Sequence, residues 1–477
     1  MSEDTRAIRQ SRYMSDTEAM MWTAESDPWL SSGMGSVFVL DQAPDFDRLV
    51  ATMQTASLSL LRLRERVVDG IGIAPPKWVI DDEFNIYDHV RQVSLGGAGG
   101  MRELLDLASQ TFEDAFDRSR PLWKFVAVSG SGSRRKDAVK GAIIMKLHHS
   151  VSDGIGAMRL GEMYFDLERD PGPRPDAHVD TPASVARGGV EGVLDDMAFV
   201  AKRQFDTTRR AAGEVALWGA DPKRMKKAVE RASAVAKTVA SQAAGARDQA
   251  SGGSDLWRDR SRHRHLEVFD VDLAEMKAAA KRRGGSINDL FVAGTVLGAT
   301  RFHAERPNET RTFNLSFILS TRSDDAAGGN SFMPVPFSVA NSSTDANKVF
   351  RLVRSAIAVK RAEVSSSGSG ESMEVMAAMA NLLPTGVLTK AGRARSARMD
   401  WATSNLRGVS FPLFVAGGQV THMYPVGPLG GTAFNVTTMS YLENFNFGIF
   451  IDPNAVDDPA DLREHLTGAY VDLLAKD

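Results

Sequence analysis

The sequence predicts a layered α/β protein in two halves joined by a helical segment, and three observations lead there. Short runs rich in β-formers mix with amphipathic helices from Met14 to about Asp166, a pattern that packs as sheets covered by helices. The proline- and aspartate-rich stretch RDPGPRPDAHVDTP then gives way to an alanine-rich helical stretch ending near Ala250, as a linker should. A second α/β region opens near Leu266 and runs on to the C-terminus. On this division residues 1–180 form an N-terminal domain, 181–260 a helical linker or insertion, and 261–477 a C-terminal domain. A chain of 477 residues is too long for one ordinary core.

Each element has a local reason. SVFVL is a β-branched and aromatic run and reads as a strand. FDRLVATMQTASLSLLRLRERV places apolar residues three and four apart and reads as one helix. LWKFVAVSG and GAIIMKLHH read as strands joined by the polar loop GSGSRRKD, and the helix IGAMRLGEMYFDLE follows. In the alanine-rich stretch Met225, Val229, Ala232, Ala236 and Val239 share a face ringed by Lys223, Lys226, Lys227, Arg231 and Lys237. Such a helix fits an anionic membrane surface, although its small apolar face favours packing on the protein itself. Beyond ASGGSD come the strand HLEVFDVD, the helices LAEMKAAAKRRG and SINDLFVAGTVLGATRFHAE, and the strand TFNLSFILS. SSSGSGES reads as a loop, and late strands fill GVSFPLFVAGGQVTHMYPVG and AFNVTTMSYLENFNFGIFID. A closing helix, DPADLREHLTGAYVDLLAK, is started by Asp457 or Asp458.

Composition narrows the function classes. A net charge of -3 disfavours nucleic acid as a partner. The absence of cysteine excludes disulfides, thiolate metal ligands and a cysteine nucleophile. The opening MSEDTRAIRQSRYMSD lacks the apolar core of a signal peptide, and no run reads as a membrane-spanning helix.

The densest chemistry lies in MKLHHSVSDGIGAM, where His148 and His149 end a predicted strand and Asp153 and Gly154 follow. An imidazole titrates near neutrality and is the usual base for a hydroxyl substrate, provided its tautomer is fixed. Alternation along a strand lets only one of the two rings face a given side. Three other readings compete: a satisfied structural pair, a metal site, and a serine nucleophile at Ser150 or Ser152. Neither serine sits in a G-x-S-x-G elbow. His263 and His265 stand among Arg258, Arg260, Arg262 and Arg264, which would repel a cation, so no metal is expected.

HHSVSDG matches the H-H-x-x-x-D-G signature of acyl-CoA-dependent acyltransferases with the chloramphenicol acetyltransferase-like fold, a motif shared with peptide-synthetase condensation domains. Neighbouring segments narrow this to a resemblance to the bacterial wax ester synthase/diacylglycerol acyltransferases. SRPLWKFVAV resembles their P-L-W segment, GGSINDLFVAGTVLGATRF their N-D segment, and LSFILSTRSDDAAGGNSFMPVPFSV their strand with an arginine and a Gly-Asn pair. MSDTEAMMW and WVIDDEFNIYDHVRQVSL resemble the family's opening and its Trp-to-His stretch.

The resemblance implies two chloramphenicol acetyltransferase-like domains with the active-site channel between them. It implies transfer of a long-chain acyl group from acyl-CoA to diacylglycerol, a fatty alcohol, or both, with no bound cofactor. His149 would be the general base, His148 would shape the pocket, and Asp153 would be structural, pairing with Arg62 beside Gly154. A general base, worth about 10²–10⁴-fold, together with substrate positioning suffices for an activated thioester. Asn288, beside Asp289, is a candidate oxyanion donor or else a helix cap. Pro121 and Trp123 read as packing; Arg322, Asn330, Ser404 and Asn405 are expected at the channel or in packing. The expected place is the cytoplasmic side, peripheral at the membrane or on lipid inclusions. TSNLRG departs from the family's S-N-V-P-G-P, exchanging a stiff proline for Arg407. Alternatives are another lipid or polyketide alcohol as acceptor, or a non-catalytic lipid-binding scaffold.

Overall fold

The computed structural model describes residues 12–71, 74–130, 138–151, 157–172, 194–202, 205, 252–320, 332–366, 377, 380–381 and 383–475. Outside them lie Asp153, Gly154, Ser152, Arg322, Asn330, nearly all of the loop GSGSRRKD, most of SSSGSGES, most of the proline-rich linker, and the basic helix expected around Met225–Val239.

In chain order the first strands are β1 (Gly33–Leu40), β2 (Glu65–Val68), β3 (Lys77–Ile80), β4 (Val90–Ser94), β5 (Trp123–Ser129) and β6 (Gly141–His148). Then come β7 (His265–Asp272), β8 (Thr312–Ser320), β9 (Phe332–Ala340), β10 (Trp401–Leu406), β11 (Phe414–Val415), β12 (Gly418–Val426), β13 (Phe434–Tyr441) and β14 (Asn444–Ile451). The helices that matter below are α1 (Asp16–Ala24), α2 (Phe46–Ser59), α3 (Met101–Glu113), α4 (Ala157–Tyr164), α5 (Leu273–Arg282), α6 (Ile287–Ala304), α7 (Ala346–Ser366), α8 (Thr385–Ser396) and α9 (Pro459–Leu474).

Two six-stranded mixed sheets carry the architecture, in the orders β11-β12-β1-β6-β5-β4 and β7-β14-β13-β10-β8-β9. The first takes β11 and β12 from the C-terminal half, so β1 lies antiparallel between β12 and β6. Hydrogen bonds across that register tie the two halves at the backbone. Side chains add to the tie. Arg102 on α3 donates to Glu267 at 2.7 Å and to the Leu266 carbonyl at 3.0 Å, and Phe112 meets Phe450 edge-on. Residues 252–260, counted with the helical segment on sequence, belong structurally to the second core: Trp257 is fully buried there against Phe302, Phe313 and Trp401.

Helix α6 is apolar over most of its circumference because Leu290–Thr300 is buried throughout. Gly294 lets α9 approach it, since a Cβ there would stand 2.3 Å from the Tyr470 ring. Tyr470 then reaches past to donate to the Phe291 carbonyl at 2.6 Å.

One expected helix is shorter than its periodicity suggests. The segment read as a helix through Val67 leaves the α-helix at Ser59, where Leu60 breaks the helical backbone and Leu61–Arg64 make one 3-10 turn. Ser57 and Ser59 bond back to the carbonyls of Gln54 and Thr55, and the β-branched Val67 and Val68 pair with Trp78 and Lys77 in the β2–β3 hairpin. Local serine bonding and β-propensity outweigh the apolar spacing.

Candidate active site

β6 delivers the two histidines by its register. Gly33 of β1 faces His148, the His148 N–H donates to the Leu122 carbonyl at 3.0 Å, and the His149 N–H to the Ser32 carbonyl at 3.1 Å. Gly35 is needed for β1 to lie this close, because a Cβ there would stand 1.8 Å from the Met145 oxygen. At the strand end the chain turns helical over 149–151.

The two rings have different surroundings. His148 is wholly buried, edge-on to Trp22 and Phe116. Its Nδ1 accepts the Ser150 N–H at 3.2 Å and lies 2.6 Å from Ser150 Oγ, which assigns the ring proton to Nε2. That Nε2 lies 2.5 Å from Glu25 Oε2, off the line of a straight hydrogen bond. His149 by contrast is only partly buried.

Glu25 caps the C-terminal end of α1 and also accepts Ser31 Oγ at 2.9 Å and the Ser32 N–H at 3.2 Å. Burial alone would raise its carboxyl, but the contacts from His148, Ser31 and Ser32 outweigh this and hold it below the ordinary value. Ser32 thus joins Glu25 through its N–H and His149 through its carbonyl. Two residues before His148, on the same strand face, the buried Lys146 donates to the Thr111 carbonyl at 2.9 Å and to that of Asp114, over the Phe116 ring. Burial pushes its ammonium down to about 8, against the opposing pull of Asp114 and Glu25.

Ser150, His148 and Glu25 line up as hydroxyl, imidazole and carboxylate. The hydroxyl is fully buried and its own backbone N–H shares the imidazole, so no acyl carbonyl can approach it.

The remaining predicted residues separate into groups. Arg62 is buried, 3.0 Å from Glu65 and stacked over Trp78 at 4.0 Å. Trp123 is buried at the start of β5, donates to the Leu63 carbonyl at 2.7 Å and stacks on His89 at 4.5 Å; Pro121 is buried beside it. The start of α6 is capped by Ser286 and Asp289, which bond reciprocally, and not by Asn288. The buried Asn288 Nδ2 has no hydrogen-bond partner among the described residues. Ser404 and Asn405 lie in β10, where both accept from Thr438. Glu25 and Lys146 were not singled out from sequence; only the placement of Lys146 two residues before a paired histidine could have pointed to it.

The family profile described as the wax ester synthase/diacylglycerol acyltransferase catalytic domain matches residues 13–291. The chain belongs to this family. The profile of its C-terminal domain matches residues 328–473. A Mycobacterium tuberculosis H37Rv protein named as a diacylglycerol O-acyltransferase is 30% identical over 458 residues, covering 92% of this chain and 87% of its own. Another from that organism, tgs1, likewise named, is 25% identical over 464 residues, covering 94% and 92%. The solved wax ester synthase/diacylglycerol acyltransferase from Marinobacter aquaeolei VT8 superposes with a TM-score of 0.62 at 18% identity, covering 97% of this chain and 98% of its own. The first condensation domain of the calcium-dependent antibiotic synthetase gives 0.54 at 14% identity, covering 97% and 95%. This wax ester synthase/diacylglycerol acyltransferase family member is therefore an acyltransferase with the two-domain chloramphenicol acetyltransferase-like fold. Among its described residues no helix is long and apolar enough to cross a membrane.

Proposed function

We propose that this acyltransferase moves a long-chain acyl group from acyl-CoA to the hydroxyl of diacylglycerol or of a fatty alcohol, with His149 as general base. The observation that carries the assignment is the contrast between the rings: His148 is wholly buried with both nitrogens in contact, whereas His149 keeps part of its surface open. His149 removes the acceptor proton as the oxygen attacks the thioester carbonyl. The tetrahedral intermediate then collapses, the C–S bond breaks, and the same proton passes to the departing CoA thiolate. Asn288 Nδ2, a buried donor, supplies a hydrogen bond to the developing oxyanion. Asp153 and Gly154 shape the loop after His149, with Arg62 as the partner of that aspartate. No bound cofactor is required, because the thioester is already activated. The N-terminal domain and the C-terminal domain, the latter with residues 252–260 in its core, enclose the substrates between them. An acceptor of this kind dissolves in lipid, so the enzyme works as a peripheral protein on the cytoplasmic side, where acyl-CoA is available.

The test is CoA release from palmitoyl-CoA with diacylglycerol or hexadecanol, comparing the native protein with His149→Ala. Acceptor-dependent release that falls about 10²–10⁴-fold in the variant is the expected result. Release with neither acceptor overturns the neutral-lipid reading and directs the search to other hydroxyl acceptors.

A further inference from the structure

The C-terminal end of α6 meets the first turns of α9. The two helices run antiparallel at close range: Gly294 faces Tyr470, and a Cβ at Gly298 would stand 2.8 Å from the Leu466 Cα. Continued along this register, Glu305, the residue that caps α6, comes opposite Asp461 and His465. Asp461 and His465 stand four residues apart on α9, a spacing that puts both side chains on one face. His465 Nε2 lies 3.3 Å from Glu305 Oε2 and 3.4 Å from Asp461 Oδ1. All three donor atoms lie within 4.8 Å of one another, the one such group of three among the described residues.

Two features separate this group from ordinary surface charge. The first is its spacing. Zinc holds imidazole nitrogens and carboxylate oxygens at about 2.0–2.2 Å in a tetrahedron, whose edges are then about 3.4 Å long. Both pairs that include His465 have that separation. The second is that His465 Nε2 is buried and makes no hydrogen bond among the described residues, although two carboxylates stand beside it. Neither oxygen lies on the axis of the ring nitrogen, so the three atoms converge on a shared point instead of pairing with one another.

The surroundings suit a cation. Arg306 donates from Nη2 to Asp461 Oδ2 at 2.6 Å, which leaves Oδ1 to face His465. A ligating carboxylate is oriented in this way by a partner behind it. One guanidinium stands against the three carboxylates Glu305, Asp457 and Asp461, and the carbonyl end of α6 adds negative potential.

We propose that Glu305, Asp461 and His465 bind a divalent transition ion of the zinc class, with water in the fourth position. The imidazole selects such an ion over magnesium or calcium, which take oxygen donors. The ion ties the end of α6 to the start of α9 and so clasps the last helix onto the second core. Asn288 stands at the other end of α6, roughly 25 Å along its axis, so the ion supports the fold and takes no part in acyl transfer. His148, His149, His263 and His265, where no metal is expected, do not contribute.

The test is isothermal titration of zinc into the purified full chain after chelator treatment, with magnesium as the comparison ion. The native protein should take up one equivalent of zinc that excess magnesium does not displace. Glu305→Gln and His465→Gln should each weaken uptake by about tenfold or more, since even the partners behind a metal ligand are worth about 10–100-fold. His263→Gln, which alters an exposed histidine outside the group, should bind as the native chain does. Zinc should also raise the urea midpoint of the native protein but not that of Glu305→Gln. The Glu305 side chain is 64% exposed, so this variant carries the test even where His465→Gln fails to fold. Equal zinc uptake by the native protein and Glu305→Gln overturns the proposal. A native urea midpoint that zinc does not move overturns it too, as does uptake that depends on His263.

Discussion

Glu25 Oε2 stands 2.5 Å from His148 Nε2, and the same carboxylate accepts the N–H of Ser32, whose carbonyl holds the His149 backbone. One acid therefore fixes a buried imidazole and the strand end beside the proposed base. Glu25→Ala takes away the carboxylate that the buried His148 Nε2 faces, together with the acceptor of the Ser31 hydroxyl and the Ser32 N–H, a loss of about 1–3 kcal/mol, which a lower urea midpoint would show. CoA release should also fall, by about tenfold or more, as the base loses its register. Because its folded carboxyl lies below the ordinary value, Glu25 contributes stability that is present above the unfolded pKa and lost as pH falls through the folded one. Acid unfolding should thus be steeper in the native protein than in Glu25→Gln, and equal slopes would count against the pairing.

Lys146 makes the opposite pH demand. Its folded pKa of about 8 lies below the ordinary lysine value of 10.5, so between those values the unfolded chain binds the extra proton and stability rises with pH. The rise from one such group is about 1.4 kcal/mol per pH unit at most. Urea unfolding from pH 8 to 10 should show this component in the native protein, and the difference from Lys146→Met should vanish as pH rises. A native-minus-variant difference that stays flat across the window would mean the lysine is not held in a low-dielectric place.

The difference between what could and could not be read from the sequence is one of range. His148 and His149 share one short motif, and TFNLSFILS coincides with β8 because a dense β-branched and aromatic run decides its own conformation. The cap of the last helix is equally local, and Asp458 makes it. Glu25 is different: it ends a helix far upstream, and nothing near it in the chain indicates that a turn of β1 will carry it to His148. The insertion of β12 into the first sheet is hidden for the same reason, since strand partners are chosen by register and burial across the fold. The burial of Asp196 is hidden too, because its partners Lys77 and Tyr13 lie far upstream.

Gly294 should resist enlargement. A methyl there would meet the Tyr470 ring at 2.3 Å, and overpacking of a closed core costs about 1–3 kcal/mol. Replacing a helix glycine by alanine returns about 1 kcal/mol of propensity, so the net loss for Gly294→Ala is the smaller remainder. Pairing it with Tyr470→Leu should relieve the clash while losing the bond to the Phe291 carbonyl. A double-mutant cycle in urea would show a non-additive term; strict additivity would mean the two helices adjust without contact.

Asn288 offers the clearest separation of catalysis from stability. Its Nδ2 is buried without a hydrogen-bond partner among the described residues, and the helix start beside it is already capped by Ser286 and Asp289. Deleting a satisfied buried amide destabilises a protein, whereas deleting an unsatisfied one removes a desolvation cost. Asn288→Ala should therefore leave the urea midpoint unchanged or higher. If the amide meets the oxyanion, kcat should fall about 10²–10³-fold with KM little altered, because that bond strengthens only as charge develops. Asn288→Asp should be worse than alanine, since a carboxylate placed against an oxyanion repels it. A variant that loses stability in step with activity would return Asn288 to a packing role and leave the oxyanion donor to be found elsewhere.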